Sequence, residues 1–165
     1  MSSQYYRLAI FCMLFLLISC TDTIKYQIEF RGAWSLVNRK LPDGKTLATP
    51  EVSGLLEWFP TSKTQAHVSV SYANKKNNIQ IHESFYELAE NTFSRQDQFS
   101  RADGATEFLT TKLQGQISTS GKQIVLAHAD GSRFVFEGAS LTITHKNGSV
   151  DTWKLIRDQK GTLAK

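Results

Sequence analysis

His67-Val68-Ser69-Val70-Ser71-Tyr72 alternates polar and apolar residues without a break. This period of two is typical of a β-strand that buries one face and exposes the other. Ile79 and Ile81 continue the alternation across Gln80 and His82. The stretch therefore predicts two neighbouring strands in a sheet with one buried face.

The same alternation recurs from residue 31 to the end of the chain. It is carried by the apolar pairs Ile124 and Leu126, Phe134 and Phe136, Leu141 and Ile143, and Trp153 and Leu155. We predict about ten strands, near residues 32–41, 54–60, 65–73, 79–88, 93–100, 106–117, 123–129, 132–137, 140–146 and 150–157.

The segments between these strands have the composition of tight turns. Asp130-Gly131 and Asn147-Gly148 are dipeptides that tolerate positive φ in two-residue hairpins. Only residues 85–90 offer a short helical alternative. Because nothing leaves room for helical crossovers, the sheet is antiparallel, and such a sheet protects its edges by closing. The predicted fold is all-β, an antiparallel up-and-down β-barrel of about 8–10 strands.

A short apolar segment precedes this domain. The eleven residues from Leu8 to Ile18 are apolar and follow the single positive charge of Arg7. A helix of this length spans about 16 Å, roughly half of a bilayer's hydrocarbon core. The segment is therefore predicted to be a cleavable export signal rather than a spanning helix.

Leu17-Ile18-Ser19-Cys20 resembles the lipobox of bacterial lipoproteins. The resemblance implies that residues 1–19 are a signal peptide, that the thiol of Cys20 carries diacylglycerol and that fatty acid such as palmitate anchors the protein to a membrane. Thr21 at the next position favours the outer membrane, with the protein facing the periplasm. An ordinary secretory signal or an apolar anchor, in which Cys20 is incidental, remains the alternative.

The rest of the chain divides into a tether over residues 20–30, a barrel over 31–158 and a tail over 159–165. Arg7 is the only charged residue before Cys20, so 18 Lys and Arg oppose 15 Asp and Glu beyond it. No basic run stands out, and we expect no nucleic-acid partner. The chain has two cysteines, Cys12 and Cys20, so the folded domain has no thiol for a disulfide, a zinc site or a nucleophile.

Gly32-Ala33-Trp34 resembles the Gly-x-Trp that opens lipocalins, and the stretch from Asp151 to Arg157 is similar to the last strand of bacterial lipocalin-like domains. The resemblance also covers the stretch from Gly32 to Phe59. It implies that Trp34 closes the bottom of the barrel and that Arg157 stacks on its ring. Such a cation–π contact contributes roughly 0.5–2 kcal/mol, so this pair is expected to be structural.

Face parity predicts an aromatic interior. The inward residues that we expect, and the candidate ligand contacts, are Trp58, Tyr72, Phe108 and Phe134. A barrel of about eight strands is either filled by side chains or holds one small ligand, so each of these residues is either core or ligand contact. The strand near 93–100 is polar on both sides, and it is predicted to line a wet cavity or to form an exposed wall with Arg95, Asp97 and Arg101.

The sequence shows no pattern typical of catalysis. There is no Gly-x-Ser-x-Gly nucleophile elbow. The four histidines, scattered over the strands, are expected to be surface residues rather than metal ligands. We therefore predict no enzyme activity, no metal and no cofactor, and paired titratable side chains inside the barrel would be needed to change that view.

The predicted function is binding of a small hydrophobic ligand inside a membrane-anchored, lipocalin-like barrel. This substrate class follows from the resemblance to lipocalins. The alternative is a filled barrel that binds an envelope protein or inhibits a hydrolase. An open apolar lumen supports the first function, and a packed core with a conspicuous surface patch supports the second.

Overall fold

The computed structural model describes residues 30–76, 78–102, 105–109 and 111–157. Most of this part is strand. The strands are β1 Gly32–Lys40, β2 Thr46–Ala48, β3 Val52–Pro60, β4 Gln65–Asn74, β5 Ile79–Leu88, β6 Thr92–Ala102, β7 Ala105–Phe108, β8 Lys112–Ser120, β9 Gln123–His128, β10 Arg133–Glu137, β11 Ser140–Thr144 and β12 Val150–Arg157. In the same residues, no helix combines the length and hydrophobicity needed to cross a membrane.

The strands close into a barrel. Their order is β12-β11-β10-β9-β8-β6-β5-β4-β3-β1, each pair is antiparallel, and β1 pairs with β12 to complete the ring. Within the described part of the chain, ten strands thus form the wall, while β2 pairs with β1 and β7 pairs with β6 beside it. The predicted all-β, up-and-down antiparallel barrel is confirmed.

Two strand predictions need revision. The segment predicted at 106–117 divides into β7 and β8, although the chain between them still runs along β6 through the bonds from Leu109 N–H to Gln98 O and from Asp97 N–H to Thr111 O. The three-residue strand β2 is too short to show a period and was not predicted. Residues 85–88, part of the possible helix, belong to β5.

Two predicted hairpin turns have the expected backbone. Gly131 has φ +87° and Gly148 has φ +83°, in the left-handed region that favours glycine. In both turns the side chain of the residue before the glycine also accepts a backbone hydrogen bond. Asp130 Oδ1 accepts the N–H of Ser132, and Asn147 Oδ1 accepts the N–H of Ser149. The β9–β10 and β11–β12 hairpins follow from this local chemistry.

One end of the barrel, called the floor here, is closed by four aromatic rings. Phe30 lies 5.1 Å from Trp58 and 4.3 Å from Phe136 between ring centroids, and Trp34 lies 5.8 Å from Phe136. Phe30, Trp34 and Trp58 are completely buried. Phe30 thus belongs to the packed domain, not to the tether predicted over 20–30. The predicted signal at 1–19, the rest of the tether and the tail at 159–165 lie outside the described residues.

Two glycines in the wall make room for rings inside it. A Cβ on Gly115 of β8 would come within 2.1 Å of the Phe93 ring, which lies opposite on β6. A Cβ on Gly54 of β3 would come within 2.9 Å of the Trp153 ring. Both glycines are therefore required by close ring packing, and the interior beside them is filled.

Candidate functional site

The interior of the barrel changes character from the floor to the opposite end. Two groups of polar side chains point inward above the floor, and the part of the interior that they line is called the polar end here. The seam cluster comprises Arg39, Tyr72, His145 and Asp151. The Arg95 cluster comprises Ser84, Tyr86, Arg95, Asp97 and His128.

Asp151 is the centre of the seam cluster. It is completely buried, and its two oxygens accept bonds from Arg39 Nε at 2.6 Å and Arg39 Nη2 at 2.7 Å. Tyr72 Oη donates to the same carboxylate at 2.9 Å, and His145 Nε2 lies 2.8 Å from it. The cluster joins β1, β4 and β12 with the β11–β12 turn where the barrel closes.

The environment shifts the pKa values of these groups. Burial alone would raise the pKa of Asp151, but the hydrogen bonds from Arg39 and His145 outweigh it and lower that pKa to about 2. Burial and the charge of Asp151 raise the pKa of Tyr72 well above its ordinary value. At neutral pH the cluster is thus a carboxylate saturated with donors, as expected of a stable buried ion pair.

The Arg95 cluster lies on β5, β6 and β9. Asp97 Oδ1 accepts bonds from Arg95 Nε at 2.6 Å and from Ser84 Oγ at 2.8 Å. Tyr86 Oη lies 3.1 Å from His128 Nε2. The Tyr86 ring also packs against Trp58, with 4.8 Å between centroids, so this cluster borders the aromatic core directly.

Tyr86 and His128 are both neutral at physiological pH. Burial raises the pKa of Tyr86 to about 12, and burial together with the charge of Arg95 lowers the pKa of His128 to about 4. A general acid or base works best with a pKa near the operating pH. Both pKa values lie far from that range, so the pair is better suited to hydrogen bonding than to proton transfer.

His82 connects the two clusters. Its pKa is lowered, first by burial, and it is sensitive to the charges of Arg95, Asp97 and His145. His82 therefore lies within electrostatic reach of both the seam cluster and the Arg95 cluster. It belongs to β5 and pairs with Val70 of β4. The interior polar groups form one continuous region rather than two isolated pairs.

This region is reached by solvent. The side chains of Arg39, Arg95 and Asp97 retain 21%, 20% and 14% of their exposure, and that of His145 retains 30%. The floor residues Phe30, Trp34 and Trp58 retain none. A molecule from solution therefore meets hydrogen-bonding groups at the polar end and closed packing at the floor.

The structure separates the four predicted inward aromatic residues. Trp58 and Phe134 are buried, the first in the floor and the second against the ring of His128 at 4.9 Å. Tyr72 is half-buried in the seam cluster. Phe108 is 83% exposed, so the prediction that it faces the interior is wrong. The physical reason is the register, because Phe108 pairs with position 99 of β6, and position 99 pairs with Glu83, which lies on the outer face.

The predicted closing pair is only half described. Trp34 is completely buried and lies in the floor, as expected of a residue that closes the barrel. The backbone of Arg157 pairs with that of Ala33. The side chain of Arg157 lies outside what the structure describes, and so does the predicted lipid attachment residue Cys20.

Sequence reasoning identified part of the polar end. Arg95 and Asp97 were predicted as polar wall or cavity residues, and they point inward, whereas Arg101 is exposed. His128 was expected at the surface, yet it retains only 5% of its exposure. Asp151 was missed, although it shares the period-two face of Trp153 and Leu155 and that parity was the available signal.

No metal site emerges. Among residues 30–157, excluding the few that the structure leaves undescribed, no group of three His, Asp or Glu side chains has the arrangement to hold a metal ion. On the outer face, His67 pairs with Glu83, which also accepts a bond from Ser69 Oγ at 2.8 Å. This external pair is separate from the polar end.

The fold and the site together define a closed antiparallel β-barrel protein with a sealed aromatic floor and a polar, solvent-reached opposite end. The chain matches no protein-family model and no curated protein. Among solved structures it is similar to a de novo designed fluorescence-activating β-barrel, with 15% identity, a TM-score of 0.37, and coverage of 81% of this chain and 97% of that one. It is also similar to the structure of EF1p2_mFAP2b bound to DFHBI, with 12% identity, a TM-score of 0.39, and coverage of 81% and 98%. Likenesses at this level carry no argument about function.

Proposed function

We propose that this protein binds a small amphiphilic molecule at the polar end of its barrel and does not transform it. The observation that carries the proposal is the split interior, in which titratable side chains partly open to solvent lie above a completely buried aromatic floor. Ligand sites in proteins are mostly apolar concavities with a few convergent polar groups. The polar end has this composition.

The energetic cost of the polar groups supports a binding role. Placing charged side chains inside a barrel costs free energy that apolar side chains of similar size would avoid. Perturbed pKa values in such a cluster are typical of functional sites. Arg95 and Asp97 form an ion pair inside the barrel, close to its apolar floor, which favours selection for a ligand over selection for stability.

The site favours a ligand with both polar and apolar parts. The sequence predicted a hydrophobic ligand, and the half-buried apolar side chains Val70 and Tyr72 would contact such a part. The polar part would meet the Arg95 cluster or His82. A purely apolar molecule would displace water from these groups without replacing the hydrogen bonds of that water, at a cost of about 1–3 kcal/mol for each donor or acceptor left unpaired.

We further propose that a lipid on Cys20 anchors the barrel to a membrane of the cell envelope, with the outer membrane as the expected location. The support is the apolar segment from Leu8 to Ile18 followed by the lipobox-like residues Leu17 to Cys20. Several acyl chains at roughly 0.8 kcal/mol per buried methylene would hold the protein there almost permanently.

Native mass spectrometry of the full chain purified from its own host tests the binding function. A co-purifying small molecule is expected, and Val70→Trp, which places a large ring at the polar end, should abolish its retention. Ser71→Trp is the matched control, because the neighbouring side chain points to the outer face. Absence of any bound molecule, or equal retention by both variants, would contradict the proposal.

A protein-interaction module is the second candidate. The Phe108 side chain of β7 is 83% exposed, and an exposed aromatic side chain favours contact with a partner protein. The filled floor is compatible with such a role. Co-purification of an envelope protein that Phe108→Ala releases, with no small molecule in the barrel, would favour this candidate.

A further inference from the structure

We propose that a groove on the outer face of the barrel binds one sugar unit of an uncharged glycan. The groove lies over β5 and β6 and has a volume of about 180 Å³. None of the side chains that form it belongs to either interior cluster, so this site goes beyond the small-molecule function proposed above. Six outward side chains line the groove: Gln65, Phe85, Glu87, Ser94, Gln96 and Lys112.

The six side chains form two neighbouring rows across the sheet. In the first row, Phe85 of β5 pairs with Gln96 of β6, which pairs with Lys112 of β8. The second row lies two residues further along these strands and holds the other three side chains, with Glu87 in the middle. Adjacent strands lie about 4.8 Å apart and two residues of a strand span about 7 Å. The two rows therefore present their groups on the scale of a single sugar ring.

The polar groups of the groove are open to a ligand. Among the described residues, none engages these five polar side chains in a hydrogen bond or an ion pair. Two amides, a hydroxyl, a carboxylate and an ammonium together supply both donors and acceptors. The hydroxyl groups of a sugar each donate and accept, so this mixture matches a hydroxylated ring.

The charges of the groove cancel. Of its six lining side chains, Glu87 carries a negative charge and Lys112 a positive one, and the other four are neutral. A charged ligand would meet one attractive and one repulsive group within the same small area, and would gain little. Nucleic acid in particular needs a concentration of positive charge. The groove therefore favours an uncharged ligand.

Phe85 supplies the apolar wall of the groove. Its ring packs against that of His67, with 4.9 Å between centroids, and 37% of Phe85 is still exposed. His67 in turn pairs with Glu83, which also accepts a bond from Ser69 Oγ at 2.8 Å. The Phe85 ring is thus held in place before a ligand arrives. The face of such a ring is negative, so it attracts the C–H groups on one face of a sugar ring.

The size and composition of the groove favour a glycan over a protein partner. Pockets that enclose a drug-sized ligand measure about 300–1,000 Å³, whereas this groove measures about 180 Å³ and would hold one unit of a longer chain. Lys, Glu and Ser are depleted in protein interfaces, yet all three occur here. Phe59, which pairs with His67 and is 41% exposed, continues the aromatic surface beyond Phe85, where the next unit of the chain would lie.

Calorimetric titration of the full chain, kept in solution by an amphipol, tests this inference with chitohexaose, cellohexaose and hexagalacturonate. The first two are uncharged and differ in their acetamido groups, and the third carries a carboxylate on every unit. The wild-type protein is expected to bind at least one uncharged hexasaccharide tenfold or more tightly than hexagalacturonate. Phe85→Ala should weaken this binding by tenfold or more, because it removes the stacking surface. Gln96→Ala should weaken it roughly fivefold, as expected for the loss of neutral hydrogen bonds.

Ile79→Ala is the matched control, because it removes an exposed apolar side chain from the same strand outside the groove, and it should bind like the wild type. Gln96→Ala changes an exposed side chain, so it keeps the test decisive if Phe85→Ala does not fold. Val70→Trp, which fills the polar end, should also bind the glycan like the wild type, so the outcome for this groove is independent of the interior site.

The inference would be overturned if the wild type bound none of the three hexasaccharides or preferred hexagalacturonate. Undiminished binding by both Phe85→Ala and Gln96→Ala would overturn it as well. A protein that co-purifies with the wild type and is released by these two variants, without any glycan binding, would assign the groove to a protein partner instead.

Discussion

Arg39 and Asp151 face each other where the first wall strand meets the last, and both oxygens of the carboxylate accept bonds from the guanidinium, at 2.6 and 2.7 Å. The two residues are 112 positions apart in sequence. Their pair therefore stabilises the closure of the barrel itself, together with the backbone pairing of β1 and β12.

Asp151→Asn should destabilise the protein by about 2–4 kcal/mol at pH 7, because it leaves the Arg39 charge partly buried without its partner. The pKa of Asp151 is lowered from its ordinary 3.8 to about 2, so its contribution is complete above about pH 5 and is lost as the pH falls towards 2. Urea unfolding at pH 7, 5 and 3 should show the two proteins converging at low pH. Asp43→Asn, in an exposed turn, should change little, and a wild-type/Asp151→Asn difference that does not vary with pH would contradict this account.

His128 should make the protein less stable in mild acid. Its pKa is lowered from 6.5 to about 4 by burial and by Arg95, so the unfolded chain binds a proton in this interval while the folded protein does not. Stability should therefore fall by about 3 kcal/mol from this group as the pH drops from 6.5 to 4. His128→Phe should remove that slope in unfolding curves measured across the same interval. Parallel pH profiles for the two proteins would exclude this role.

Gly115→Ala should destabilise the barrel by about 1–3 kcal/mol, as overpacking does in close-packed cores. The added Cβ would lie 2.1 Å from the Phe93 ring and 2.6 Å from the carbonyl oxygen of Ala127. Thermal unfolding measures the effect, and Ser118→Ala, exposed on the same strand, is the control. An unchanged melting temperature for Gly115→Ala would show that the ring does not occupy this position.

Trp34→Ala should lower the free energy of unfolding by roughly 3–5 kcal/mol, the usual cost of truncating a large aromatic residue in a core. Trp34 is completely buried in the floor. Phe108→Ala, which removes a ring that is 83% exposed, should stay within about 0.5 kcal/mol of the wild type. Denaturant unfolding of both variants measures the two losses of stability. Equal losses for Trp34→Ala and Phe108→Ala would contradict the position of Trp34 in the floor.

Cys20→Ala should abolish attachment of lipid and leave an unprocessed or soluble protein. Metabolic labelling with radioactive palmitate and fractionation of membranes measure both effects. Cys12→Ala, within the apolar segment, is the matched control and should still be labelled. Label that persists in Cys20→Ala would refute the anchor.

The strands and their closure were predictable from the sequence because period-two burial is a local signal. It placed nine of the strands within about two residues of their observed ends, as β5 at Ile79–Leu88 illustrates. Short or irregular pieces escaped it. Strand β2 has only three residues, and the side that Phe108 faces depends on a register shift in the β5–β6 pairing that the pattern of its own segment does not show.

The candidate site was only partly predictable, because bulges alter which side chains point inward. Counting from Trp34 and Leu36 places Asn38 on the inner face, but a register shift between Leu36 and Asn38 sets Arg39 opposite Asp151 instead. A second shift lies in the β5–β6 pairing, between Glu83 and Ser84. Such shifts depend on partner strands, so parity along one strand does not reveal them.

The burial of Phe30 among the floor rings has a consequence for orientation. Because this residue is fixed at the sealed base and lies ten positions after Cys20, the two residues can be at most about 35 Å apart along an extended chain. An acylated Cys20 would thus hold the floor of the barrel close to the bilayer, so that the polar end could face away from the membrane. The proposed ligand would then enter from the surrounding aqueous compartment rather than directly from the lipid leaflet.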